Sequence, residues 1–109
     1  MFPGWEQNPG ITEIAVKLLN RPILEEFKLR HRDVSDQIDA WVKEAQDATW
    51  KDSHEMRRRY GSADPLGDGR TVFNLKGNKY RLGVRISYQN QVIRIEKIGT
   101  HQEYADWKW

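Results

Sequence analysis

A chain of 109 residues with 38% hydrophobic and 31% charged content and no cysteine builds one domain around one core. It excludes a disulfide scaffold and any thiolate metal or nucleophile site. The net charge of +2 hides a polarised molecule: residues 70–109 hold eight Lys/Arg against three acids, a net of +5, whereas residues 1–69 net −3.

That polarity, with a pI near 9.0, is expected if the C-terminal part meets a polyanion, for which nucleic acid is the natural choice. No apolar run has the length of a membrane span, and the first residues lack the basic-then-apolar order of a signal peptide. A cytoplasmic protein without a membrane partner is expected.

Residues 1–11 contain two prolines and two glycines without periodicity and read as an irregular tail; residues 12–109 read as a single domain. Ile11 to Leu18 alternates weakly and predicts a short strand able to join a sheet formed later in the chain. Asn20 is placed to cap a first helix, with Pro22 in its first turn, Glu25 and Glu26 near its N-terminal dipole, and Ile23, Leu24 and Phe27 as its apolar stripe. A second helix follows, capped by Asp33 or Ser35. Val34, Ile38, Trp41, Val42, Ala45 and Ala48 recur at helical spacing, opposite Asp36, Asp39, Lys43, Glu44 and Asp47. Trp41 within that stripe is expected as a core anchor.

Asp52 or Ser53 caps a short third helix ending near Tyr60. Its Arg57-Arg58-Arg59 run cannot face one way on a helix. The run reads either as a solvated basic turn or, for Arg57 and Arg58, as a phosphate contact. Gly61 to Gly69, dense in turn formers, is expected to be a loop.

Three alternating runs follow, Thr71–Lys76, Lys79–Ser87 and Gln91–Ile98, the pattern of an antiparallel meander with one face buried. Gly77-Asn78 is a two-residue connector of the kind that closes a hairpin with positive φ. Closure there sets Leu75 opposite Tyr80, Phe73 opposite Leu82 and Thr71 opposite Val84. The other face then carries Val72, Asn74, Lys76, Lys79, Arg81, Gly83 and Arg85. The expected fold is α+β: a mainly three-to-four-stranded antiparallel sheet with N-terminal helices on one face.

Chemistry has few places to sit. No glycine-rich phosphate loop, HExxH pair or nucleophile elbow occurs, and His31, His54 and His101 are scattered, so no metal or other cofactor is expected. Gly99 to Tyr104 remains. His101 is of the residue type suited to acid–base chemistry, and Tyr104 follows three residues later. The pair reads either as a surface histidine beside a packed tyrosine or, near Lys79, Arg81 and Arg85, as phosphodiester chemistry.

The run VFNLKGNKYRL (Val72–Leu82), a strand, and then GTHQEY (Gly99–Tyr104) resemble the toxins of HigB type in the RelE/ParE-like superfamily of toxin–antitoxin systems. WVKEAQDATWKD (Trp41–Asp52) and RYGSAD (Arg59–Asp64) match more loosely. The resemblance implies a RelE-like fold and a ribosome-associated mRNA endonuclease of a type II system. Such an enzyme uses the 2′-hydroxyl of the RNA without a metal and leaves a cyclic phosphate.

It also implies a cognate HigA-like antitoxin, and operator DNA met only through the antitoxin complex. Carried over by position, His101 is general acid or base, Arg81 the phosphate clamp, Lys79 and Lys76 charge assistants, and Tyr104 an orienting or stacking group. Asn74 and Asn78 lie in the same motif and are RNA contacts; Arg85 on the cationic sheet face, and Arg57 and Arg58 in the basic run, are expected as RNA contacts from their charge. Two departures stand out: Ala105 replaces an acid that commonly follows the tyrosine, and Glu96 stands where a basic or neutral residue is expected. The competing readings are a non-catalytic RNA- or ribosome-binding module and a domain whose cationic face binds an acidic protein.

Overall fold

The computed structural model describes residues 16–109. Most of the strand expected over Ile11–Leu18, and the N-terminal tail, lie outside the described residues. The elements run β1 (Lys17–Leu19), α1 (Arg21–Arg30), a 3-10 turn (Arg32–Val34), α2 (Ser35–Asp47), α3 (Ser53–Arg59), β2 (Asp64–Gly67), β3 (Arg70–Leu75), β4 (Tyr80–Ser87), β5 (Val92–Thr100) and α4 (His101–Tyr104).

The sheet is five-stranded and mixed, in the order β1-β5-β4-β3-β2, rather than a three-to-four-stranded antiparallel one. Two strands make the difference. β1 pairs in parallel with β5, Leu18 opposite Ile93. β2 forms from the stretch expected to be a loop, pairing antiparallel with β3. Pro65 is tolerated in β2 because that strand is the sheet edge. Gly69 closes the β2–β3 turn at φ 78°, and a Cβ there would stand 2.5 Å from the Ile86 carbonyl oxygen. Only glycine fits that turn.

The β3–β4 hairpin has the expected register: Leu75 faces Tyr80, Phe73 faces Leu82 and Thr71 faces Val84. Its turn differs by one residue. Positive φ falls on Lys76 and Gly77 rather than on Gly77 and Asn78, the strands stop at Leu75 and Tyr80, and the Lys76 amide donates to Gln37 Oε1 at 2.7 Å. Alternation along β5 is interrupted by a bulge, since the register steps from Gly83–Lys97 to Val84–Ile95. Glu96 is the extra residue, so the strand can keep Ile93 and Ile95 in the core before the step.

The helices close the apolar face. Leu24, Phe27, Val34, Ile38, Trp41 and Ala45 meet Phe73, Leu75, Leu82, Val84, Ile93 and Ile95, all essentially without solvent exposure. Each Val, Leu, Ile or Phe among them contributes about 1.5–3 kcal/mol. Trp41 is the expected anchor, set edge-on to Phe73 at 5.3 Å.

The caps depart from expectation at two helices. Asn20 adopts the left-handed conformation at φ 69° and makes no cap bond. Its side-chain amide donates to the Ile95 carbonyl instead, tying α1 to β5. No acid lies in the first turn of α1. Val34 occupies the cap position of α2 without a side-chain bond, because Asp33 is engaged elsewhere. Asp52 caps α3 as expected, accepting from the Glu55 amide at 2.9 Å.

Candidate functional site

The outer face of the hairpin is not a uniform solvated surface. Val72 and Gly83 are buried, and so is Arg81, at 8% exposure. The cover comes from the chain beyond β5. Thr100 and Glu103 form a reciprocal capping box, Thr100 Oγ1 accepting from the Glu103 amide and Glu103 Oε1 from the Thr100 amide. This box turns the chain sharply into α4. The His101 amide donates to the Lys79 carbonyl at 2.8 Å, fixing α4 across the end of β4.

Arg81 lines a polar depression of about 460 Å³, together with Arg57, Asn74, Asp64, Val72 and Tyr104. Its guanidinium donates to the Asn78 carbonyl at 3.0 Å and the Tyr80 carbonyl at 3.3 Å, and it lies 5.6 Å from the Tyr104 ring centre. Among the described residues no carboxylate comes within ion-pair distance of it. A buried cation with only carbonyl partners is costly in isolation and favours an anion beside it. Asn74 lends shape, its amide donating to the Ser62 carbonyl.

His101 and Lys79 belong to a second depression, of about 620 Å³, together with His31, Tyr80, Thr100 and Gln102. Tyr80 donates to Asp33 at 2.8 Å and lies 3.5 Å from His31 Nδ1. Lys79 pairs with the other Asp33 oxygen at 2.6 Å. Bonds from Lys79 and then from Tyr80 hold the Asp33 carboxyl below its ordinary range, and Asp33 raises Lys79 in turn. Desolvation first, then the bond to Asp33, raises the Tyr80 phenol. Lys79 is thus a cation already half-answered. His101 is exposed and lines this depression, whereas Tyr104 lines the other.

The remaining candidates scatter. Asn78 is exposed and contributes its carbonyl to Arg81. Lys76 is exposed at the hairpin turn. Arg85 is neutralised by Glu96 at 3.2 Å and donates to the Asp68 carbonyl. The arginine run divides, as expected for consecutive helical positions. Arg57 reaches the Arg81 depression, Arg58 is exposed, and Arg59 pairs with Glu44. Glu44 also accepts from Tyr60; burial first and this bond second raise the Tyr60 phenol well above its ordinary value.

Sequence reasoning missed His31 and Asp33, which stand 46 to 49 residues from their partners Lys79 and Tyr80 at the start of β4. It also missed the acid at Asp64 in the Arg81 depression. Only the presence of a histidine on a helix end was visible, and nothing local pointed it at Tyr80.

The fold and these two depressions define a small α+β protein that presents cations and an exposed histidine at one end of its sheet. The model of the HigB toxin family, described as the RelE-like toxic component of a toxin–antitoxin system, matches residues 34–107. The chain belongs to this family, and membership implies an antitoxin partner. No curated protein matches the chain significantly. Among the described residues, no helix is long and apolar enough to cross a membrane.

Proposed function

We infer that the protein is a type II toxin acting as a ribosome-associated mRNA endonuclease without a metal. The observation that carries the reading is Arg81: a buried guanidinium, held by two carbonyls and facing a polar depression with Arg57, Asn74 and Tyr104. A phosphodiester supplies the anion that this cation lacks. In the reaction the 2′-hydroxyl oxygen attacks the adjacent phosphorus and loses its proton to a base. The 5′-oxygen leaves with a proton from an acid, and a 2′,3′-cyclic phosphate remains. Arg81 offsets the charge that develops on the phosphoryl oxygens, and His101 serves at one of the two proton transfers. Lys79 supplies a weaker field because Asp33 already answers it.

The test is cleavage of a translated message in a reconstituted system containing a chelator. Wild type cuts within the message. Arg81→Ala loses roughly 10²–10³ in rate, His101→Ala loses activity while remaining folded, and Arg85→Ala keeps it. A folded protein that binds RNA but cuts nothing overturns the nuclease in favour of a binding module. That second reading draws on one observation, that His101 and Arg81 line different depressions.

A further inference from the structure

The chain after α4 lies across the outer face of β4 and β5, and its aromatic residues follow a repeating arrangement. Tyr104 and Trp107 are perpendicular at 5.1 Å between ring centres, and Trp107 and Trp109 are perpendicular at 6.2 Å. Each ring has its own cation: Arg81 at 5.6 Å from Tyr104, Lys97 at 5.9 Å from Trp107, and Arg70 at 5.8 Å from Trp109. The indoles sit over bare backbone. A Cβ on Gly83 would meet both at 3.1–3.2 Å, and one on Gly99 would stand 3.5 Å from Trp107.

The strip is anchored at its far end. The Trp109 indole N–H donates to Glu96 at 2.6 Å, and Arg70 donates to the Trp109 carbonyl at 2.7 Å. Glu96, the bulged residue, is therefore consumed by Trp109 and Arg85 rather than left as an exposed acid. Trp107 and Trp109 nevertheless remain only half-buried, so part of each indole stays open to solvent beside Lys97 and Arg70.

We propose that this strip is a single-stranded RNA subsite, holding nucleotides that flank the one at Arg81, with bases on the indoles and phosphates on Lys97 and Arg70. The proposal rests on the RNA reading of the Arg81 depression and extends it by a few nucleotides of strand, within the site size of an aromatic-and-cation groove. Aromatic faces with interleaved cations fit unpaired bases and their backbone. A purely acidic protein segment would use the cations but leave the indole faces idle.

Binding of a short 2′-O-methyl RNA, which cannot be cleaved by its own 2′-oxygen, is the measurement, read by quenching of tryptophan fluorescence across a salt series. Wild type binds with quenching. Trp107→Ala weakens binding roughly 5- to 150-fold, the range for loss of one stacked base. Lys97→Gln lowers the slope of log affinity against log salt by about one. Trp107→Phe, which keeps an aromatic in the packing, retains most of the affinity and guards against a folding artefact.

Unchanged affinity and salt slope in folded Trp107→Ala and Lys97→Gln overturn the subsite and leave the strip as a packing device. Loss of binding to an acidic peptide, with RNA binding intact, overturns it in favour of a protein partner. Tail-dependent RNA binding by a protein that cuts no message keeps the subsite and removes the nuclease. Cutting with tail-independent binding does the reverse.

Discussion

The two faces of the same hairpin obey different rules. On the inner face Thr71, Phe73, Leu75, Tyr80, Leu82, Val84 and Ile86 are all buried, and every one follows from alternation plus one turn. On the outer face the same alternation assigns Val72, Asn74, Arg81, Gly83 and Arg85 to one side correctly but says nothing of their surroundings. Val72, Arg81 and Gly83 are buried there too, under a segment that starts after the last strand. A period of two fixes the side to which a residue points; what covers that side is decided by chain far away.

The largest expected effect tests the inner face. Trp41→Ala removes an indole that is 2% exposed and packed on Phe73, and should cost about 3–5 kcal/mol. Urea unfolding at constant m-value measures it. A cost below about 1 kcal/mol would mean that the core closes over the gap, so that inner and outer faces differ less than their burial suggests.

A smaller effect tests the outer face without touching the core. Gly99→Ala brings a Cβ to 2.7 Å from Glu103 Oε1, so the carboxylate must leave the Thr100 amide and half of the capping box opens. Losing such a cap costs about 0.5–2 kcal/mol, and replacing glycine by alanine returns about 0.4–1 through the unfolded chain. The two nearly cancel. The unfolding midpoint should move little, while the Thr100 amide loses hydrogen-exchange protection and the Glu103 amide, bonded to Thr100 Oγ1, keeps its own. Retained protection at Thr100 would show that Glu103 keeps its bond and that the new methyl group is absorbed elsewhere.

Legibility divides along the same line. The α2 stripe, the Asp52 cap and the hairpin register are local, and periodicity alone reaches them. Of β1, only Lys17 and Leu18 fall within the strand expected over Ile11–Leu18, and its parallel pairing was not legible because its partner β5 lies some 75 residues later. β2 was hidden because Pro65 and two glycines signal a turn, yet an edge strand tolerates them. Asn20 has the residue type of a cap but spends its amide on Ile95. Of the site, the residue types were legible and their grouping was not. His101 and Tyr104 stand three apart in sequence and line separate depressions, while Arg57 joins Arg81 from another element. Glu96 looked like a blemish on a cationic face; the bulge makes it the anchor of Trp109.

The junction between the faces, where Asp33 meets Lys79 and Tyr80, gives the finest test, through pH. Bonds from Lys79 and Tyr80 lower the Asp33 pKa below its ordinary 3.8. The unfolded chain therefore takes up this proton first as acid is added. The stabilisation is complete above the ordinary carboxylate range and disappears as pH falls through the lower folded value. Lys79 is raised above 10.5 by the same pair, so its share is complete below that value and is lost as pH climbs through the higher folded one.

Asp33→Asn removes both limbs. The wild-type unfolding midpoint should exceed the variant's between about pH 5 and 9, and the two should converge on acidification through the carboxylate range. The pair is exposed, so the difference should also shrink as salt is added. A gap that persisted undiminished at acid pH would assign the Asp33 contribution to its neutral hydrogen bond with Tyr80. The charge of Lys79 would then be less answered than the geometry indicates, and available to an RNA phosphate.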